Sequence, residues 1–532
     1  MAQHIRISVS RGHRYRQLVT SVWDPVRKRS VAKVLKHLGP VDDLEKEKPA
    51  IPLHIDGIES SCAAGHLALF YSIAQQYRLP ECLENVCPSE GRRDANALMA
   101  LVFNQINGRR PLKDIGQWLV DTPLGKWMDI DGQDFTKDNL TSALDAVSRT
   151  ENEITVRKAF AIQKRATDSW REHVGRDPPH YYFYYDIARI KYNGSHCDWA
   201  DNGYGPIANG RPHIGFGLVT SRGNHFPVLS LTVNGATNDA RTFEAMADSL
   251  KAWQLKKITL ILDRGIMNAK STKFALNAGF HVLGGCNENS NDVKAAIRQW
   301  KDDSIELSTQ VYPRPGNGEI YHRAWDGDLF GQHGRFVLIL DPARRTKERG
   351  ARDRMLHELR HSAKPGRVTE LRHELGNVVA TSVGRRGWQI DETAETEARN
   401  ADGRFLLFTT DPTLKPEETV QAYHQRDEIE KAFRELNGRS SMGPIRYRVP
   451  NHVEPYLTVV CHLAYLIRTA INWMLRKEKR EESIDQTVDE LKKIHEVRLT
   501  RKGVSFPRWT RLSEQQRELV NLFDLKGLIH SN

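Results

Sequence analysis

The chain has 532 residues, enough for more than one domain and for sizeable buried cores, in a globular composition that is 39% hydrophobic and 27% charged. Its net charge of +11 and pI near 9.2 point to a polyanion, most simply nucleic acid, ahead of an acidic membrane surface, because no basic amphipathic anchor stands out. Met1–Arg11 has no apolar signal core, the apolar run Leu457–Ile471 contains His462 and Arg468 and is too short to span a bilayer, and Cys62, Cys82, Cys87, Cys197, Cys286 and Cys461 lack zinc-type pairing, so a cytoplasmic protein with free thiols and no membrane partner is expected.

Residues 1–50 alternate polar and apolar in short runs, as in Ile5–Val9 and Tyr15–Trp23, with Pro25 in the break before Val31–Leu38 and Gly39-Pro40 closing it. This predicts a small β-ribbon unit with basic flanks. Residues 51–175 read as a compact helical domain. Its helices fall over 58–79, 95–107, Leu112–Leu119 after Pro111, and Asp138–Val147 with Asn139 or Asp138 as cap. Such a domain can read DNA ends in helix-turn-helix fashion or be purely structural.

From 180 the pattern turns to strands. Tyr181–Tyr192 is aromatic-rich and interrupted by Asp186, whose burial is costly without a metal or a hydrogen-bonding partner. Ile214–Thr220 and His225–Val233 follow, joined by the hairpin signal Ser221-Arg222-Gly223-Asn224. Then come a helix over Asp239–Trp253 with Asp239 as cap, the apolar strand Ile258–Leu262 ending in Asp263-Arg264-Gly265, a helix Ala269–Ala278 and the strand Phe280–Leu283. That order is the order of a ribonuclease-H-like mixed sheet, here assigned to 176–285. Residues 286–404 interrupt it as an inserted β-rich subdomain with strand-like runs Ile305–Tyr312, Glu319–Trp325, Arg335–Leu340 and Val378–Val383 and a charged helix near 343–362. Residues 405–475 return to the core, and 476–532 are helical, with Ser483/Gln486 and Ser513/Gln516 as capping boxes.

The chain is organised around 423–437. Pro416, Glu417 and Glu418 open a helix on which Tyr423, Arg426, Glu430 and Asn437 share one face beside an apolar stripe of Ile429, Phe433 and Leu436. A carboxylate flanked by cations at 426, 431 and 434 suits phosphate and metal; a salt-bridged surface helix is the alternative. Asp186 and Asp263 supply two more carboxylates from separate strands, whereas Asp198 and Asp201 read as loop acids. Hard divalent cations take oxygen ligands, and two of them about 3.5–4 Å apart can activate an attacking oxygen and stabilise a leaving one.

Tyr423-x2-Arg426-x3-Glu430 resembles the C-terminal signature of the DDE transposases of bacterial insertion sequences. That signature ends in a lysine where this chain has Asn437, leaving Lys431, Arg434 or Arg439 to make the missing phosphate contact. Asp263-Arg264-Gly265 with Gly279-Phe280, Asn238-Asp239-x-x-Thr242-Phe243, Phe405–Thr410 and Ile445–Arg448 are similar to further family blocks. Tyr15–Gly39 and Asp134-Phe135-Thr136 resemble the subgroup with a long β insertion. The resemblance implies a ribonuclease-H-like core in which Asp186, Asp263 and Glu430 bind two magnesium ions, with manganese as a substitute. It implies nicking at transposon ends, joining of the 3′-hydroxyls to target DNA, and phosphate contacts from Tyr423, Arg426, Lys431, Arg434 and Arg439. It also implies a dimer when two ends are paired, and an aromatic in the insertion, Trp325 or Trp388 by location, that stacks on a flipped base unless it is a core residue.

Two other readings compete. His357-Glu358-Leu359-Arg360-His361 matches a zinc metallopeptidase motif, with Glu370 or Glu374 as third ligand, but its flanks are highly charged and Pro365-Gly366 ends the helix soon after. A catalytically silent DNA-binding protein of the same fold is the other.

Overall fold

The computed structural model describes residues 3–10, 13–40, 55–87, 91–148, 154–174, 180–194, 197–202, 211–255, 257–287, 290–298, 300, 310–314, 318–361, 365–381, 388–437 and 442–530. The chain forms two compact units, Met1–Ser61 with Glu496–Arg508, and Cys62–His495 with Trp509–Asn532.

In the smaller unit β1 (Gln3–Ser10), β2 (His13–Asp24) and β3 (Arg29–Pro40) form the expected antiparallel ribbon. The carboxylate of Asp24 accepts the N–H groups of Val26 and Arg27 at 3.0 and 3.1 Å, which fixes the β2–β3 turn. Next comes β4 (Gly57–Ala63), a strand where a helix over 58–79 was expected; the helix begins only at Gly65. The reason is tertiary: β4 pairs in a three-stranded sheet with strands from the far end of the chain, β16 (His495–Arg501) and β17 (Val504–Trp509).

The larger unit opens with helices Gly65–Gln76, Leu79–Glu84, Gly91–Ile106, Ile115–Asp121, Leu124–Trp127, Lys137–Asp145 and Ile154–Val174. Thr136, not Asp138 or Asn139, caps the sixth of these, its hydroxyl accepting the Asn139 N–H at 3.3 Å. The sheet follows: β5 (Tyr181–Lys191), β6 (His213–Ser221), β7 (Pro227–Asn234), β8 (Ile258–Leu262), β9 (His281–Gly285), β10 (Gln310–Arg314), β11 (Gly318–Leu329), β12 (Gln332–Leu340) and β15 (Arg404–Thr409), with the short pair β13 (Val379–Thr381) and β14 (Trp388–Ile390) apart. Asn238 caps the Asp239–Lys251 helix, so Asp239 is its first residue rather than its cap, and it pairs with Arg189 at 3.1 Å.

The nine strands run in the order β10-β11-β12-β15-β9-β8-β5-β6-β7. β5, β8 and β9 are parallel; β6 and β7 continue antiparallel on one side, β15 and β12 on the other. Side chains of β5 alternate between two apolar clusters, Tyr184 in one and Phe183 and Tyr185 in the other, so the strand is buried on both faces. Residues 286–404 were expected to fold as a mainly β subdomain. Instead their long strands β10–β12 extend this sheet, because β15 needs a partner on its outer edge and the apolar run Phe336–Leu340 supplies it. The rest of the segment is largely helical, Pro342–His361, Pro365–Leu375 and Glu392–Ala401, around a small core of Leu356, Leu359, Leu371 and Leu375. Residues 305–309 and 382–383, part of the expected strand runs, lie outside the described residues.

The long C-terminal helical run packs against β7, and the helices after it pack on other helices. Pro450–Lys477 is a continuous helical run of 28 residues, longer than the 457–471 stretch suggested and apolar enough to cross a membrane, but 83% of its apolar window is buried inside the protein, as a core helix is. Ser483 and Ser513 each make the reciprocal hydrogen bonds of a capping box, as expected. All six cysteines are thiols rather than disulfides.

Candidate active site

Parallel pairing sets the first two acids side by side. The β5–β8 register matches Tyr185 with Leu262, so Asp186 and Asp263 emerge one residue further on from neighbouring strands. Asp186 accepts the N–H of Ile187 at 2.8 Å, and the carbonyl of Asp263 closes the following turn by accepting the N–H groups of Ile266 and Met267 at 3.0 Å.

The third acid arrives on a helix anchored over that sheet. The Tyr184 hydroxyl donates to the Ala422 carbonyl at 3.2 Å, Ile429, Phe433 and Leu436 are buried as predicted, and Phe433 meets Phe216 edge to face at 6.3 Å. The expected single helix is in fact two, Pro416–His424 and Asp427–Asn437, with a break at Gln425-Arg426. There the Arg426 N–H turns back to the Tyr423 carbonyl at 3.1 Å, and Arg222 from the β6–β7 hairpin donates to the Gln425 side chain at 2.9 Å. That bond joins two side chains, so the hairpin holds the Gln425 side chain at the break while the Gln425 N–H keeps its helical bond to the Gln421 carbonyl at 3.0 Å.

The break aims Arg426 into the acids. Its guanidinium lies 3.1 Å from Asp263, 3.7 Å from Glu430 and 5.6 Å from the centre of the Tyr423 ring. Burial works against that charge, yet Asp263, Asp186 and Glu430 hold the Arg426 pKa above its ordinary value. Burial pushes Asp186 up to about 6; the Ile187 N–H and Arg426 oppose the rise, and Asp263 and Glu430 reinforce it. Burial likewise raises the Tyr423 phenol. Tyr423 fits because Gly285 has no side chain: a Cβ there would stand 2.5 Å from its hydroxyl.

Asp263 and Glu430 both raise the pKa of Asp186, and the three carboxylates form an all-oxygen donor set whose repulsion at Asp186 a cation relieves, which fits a hard divalent ion. Arg426 now occupies that role between Asp263 and Glu430, and among the described residues no three His, Cys, Asp or Glu side chains stand close enough to hold a metal as placed.

The other expected contacts divide. Lys431 and Arg434 are exposed and line a cavity of about 520 Å³ with His225, Tyr465, Arg468 and Asp485, to which none of the three acids contributes. Arg439 and the side chain of Asn437 lie outside the described residues, as does the side chain of Trp388. Trp325 is half-buried and packs against the core, 5.4 Å from the Phe336 ring and 5.8 Å from Trp300. In the peptidase motif His357 and His361 are exposed neighbours, while Arg367 holds Glu358 at 3.1 Å, Glu370 at 2.9 Å and Glu374 at 3.4 Å. The general base and both third-ligand candidates are thus committed to one arginine. Sequence reasoning missed Arg222 and Gly285; a glycine pair inside a strand pattern was the available signal for the second.

Comparison with known proteins bears on the same residues. No curated protein matches the chain. Among solved structures it is similar to the piggyBac transposase synaptic complex with hairpin DNA, seen by cryo-electron microscopy, at 11% identity over 80% of this chain and 79% of that one, with a TM-score of 0.36, too low to settle the fold. The family model described as the transposase DDE domain matches residues 194–467, a span that begins after Asp186 and takes in Asp263, Tyr423, Arg426 and Glu430. Because that match covers just over half of the 532 residues, the chain belongs to the DDE transposase family.

Proposed function

We propose that the protein cuts DNA at the ends of an insertion sequence and joins the freed 3′-hydroxyls to target DNA, with Asp186, Asp263 and Glu430 as the metal-binding set. The observation that carries this reading is the β5–β8 register, which puts two aspartates on adjacent strands under a helix bearing the third acid. The strand order β7-β6-β5-β8-β9, in which only β6 runs against the direction of the other four, supports a ribonuclease-H-like core.

Two bound magnesium ions, or manganese, would supply Lewis acidity at the scissile phosphate and activate the attacking oxygen. The chain's own residues do the rest. Asp186 and Asp263 hold the oxygen-donor edge of the sheet, and Glu430 closes it from the helix. Arg426, now bridging Asp263 and Glu430, turns to a phosphate oxygen, for which its planar fork is suited. Tyr423 backs that guanidinium, and Lys431 and Arg434 meet the DNA backbone further along the helix. The segment 51–175 is the candidate for binding element ends, and a homodimer pairs two of them.

The test is Asp263→Asn in the full chain, with duplex DNA taken from the flanks of its coding region. Nicking should vanish while DNA binding persists. Undiminished nicking would sink the assignment, and loss of activity with His357→Ala but not Asp263→Asn would favour the peptidase.

A further inference from the structure

The positive charge of this protein is concentrated at one place. The first forty residues hold nine Lys and Arg against a single acid, Asp24, and so supply +8 of the chain's +11. The remaining 492 residues are close to balanced, so the excess that points to nucleic acid belongs to β1–β3 and not to the unit carrying Asp263 and Glu430.

The register arranges part of this charge. Lys36 pairs with Leu18, Lys33 with Thr20 and Arg29 with Asp24. Directly paired residues share a face, and positions 18, 20 and 24 of β2 fall on the same one, so the three cations form a row on one side of the sheet. A register shift between Leu18 and Val19 keeps Lys33 and Lys36 in phase although they are three apart. The row is about 20 Å long at ~3.4 Å per residue, more than half a turn of B-DNA. All three side chains are exposed, and among the described residues no carboxylate pairs with Lys33 or Lys36. On the same face Ile5, which pairs with Leu18, and Ile7 and Val9 are 60%, 49% and 70% exposed along the edge strand β1.

We propose that this face of β1–β3 is a docking surface for duplex DNA, independent of the acids and resting on the DNA-processing role proposed above. Lys36, Lys33 and Arg29 contact phosphates along one strand, and the apolar row on β1 lies against base edges in the groove. Small β-sheets are established readers of the major groove, which is about 12 Å wide. An anionic lipid surface is the rival occupant; it is more commonly met by a basic amphipathic helix, which this segment is not.

The test uses the full chain carrying Lys33→Gln with Lys36→Gln, and as control Lys492→Gln with Lys493→Gln, a pair of exposed lysines that sit beside acids in the other unit. Binding of a short random-sequence duplex is measured across a salt series. The ribbon variant should flatten the slope of log K against log salt by about 2, roughly one per phosphate contact, and bind about tenfold or more weakly at low salt, while the control keeps both. An unchanged slope, or an equal change in the control, overturns the proposal. So does loss of binding to phosphatidylserine vesicles with DNA binding intact. If the glutamine pair also lowers the melting temperature, Lys33→Arg with Lys36→Arg decides: restored slope supports phosphate contact, and a slope still flattened refutes it. Cleavage is not the readout, so failure of the acid assignment leaves this test standing.

Discussion

Gly285→Ala probes how tightly the helix break is held against the sheet. The backbone tolerates the change, since Gly285 is not among the glycines with positive φ. Space does not: the new methyl would stand 2.5 Å from the Tyr423 hydroxyl and 3.1 Å from its ring carbon. Restoring an ordinary contact needs a retreat of about 1 Å. Tyr423 backs onto Phe405, ring centres 6.1 Å apart, and carries Arg426 over its face at 5.6 Å, so it cannot move alone. Overpacking of this kind costs about 1–3 kcal/mol. A displacement of ~1 Å passed to Arg426, whose bridge to Asp263 is 3.1 Å, should lower strand cleavage by about 10²-fold under the proposed function. Thermal unfolding and nicking of duplex DNA measure the two effects separately. Adding Tyr423→Phe removes the clashing oxygen and should return most of the lost melting temperature. Full stability and activity in Gly285→Ala, or a double variant no more stable than the single, would refute the reasoning.

Three further outcomes are expected. Asp402 is buried and engaged by Arg352 through both oxygens, so Asp402→Ala withdraws the neutralising charge and should cost about 3–5 kcal/mol in chemical denaturation; a loss below 1 kcal/mol contradicts the arrangement. Ser483→Ala and Ser513→Ala each remove one half of a capping box and should lower stability by ~1 kcal/mol, with little change for either arguing that the cap is made by water instead. Burial holds His462 down to about 3 and His66 down to about 4, against 6.5 when unfolded. Between these values the unfolded chain binds protons that the folded chain refuses. Stability from both histidines is therefore complete above pH 6.5 and lost as pH falls, by up to about 1.4 kcal/mol per pH unit for each. A melting temperature that stays level from pH 7 to pH 4.5 contradicts that account.

Much of the core was legible because its signals are local. Ile258–Leu262 is a continuous apolar run ending at an aspartate, and the strand bounds match it residue for residue. Ile429, Phe433 and Leu436 show helical spacing and are buried. What failed depended on partners far along the chain. β4 is a strand only because β16 lies beside it, and β10–β12 join the large sheet because β15 offers an edge. At the helix break the Gln425 side chain is held by Arg222, some two hundred positions earlier, and no window around 423–437 contains that contact. Within the candidate site, residue types and spacing indicated the acids. They did not indicate that Arg426 would sit between two of them, which is a matter of geometry across strands.

The position of β15 has a consequence for how the protein is made. Hydrogen bonds tie it to β9 on one side and to β12 on the other, and the segment leading to Glu430 follows directly from it. A ribosome that stalls before residue 404 leaves two strand edges bare and two aspartates without their helix, so incomplete polypeptides are sticky before they are capable of cutting anything. Under the proposed chemistry, a chain that stops short of Glu430 lacks one of its three acids and is silent toward DNA.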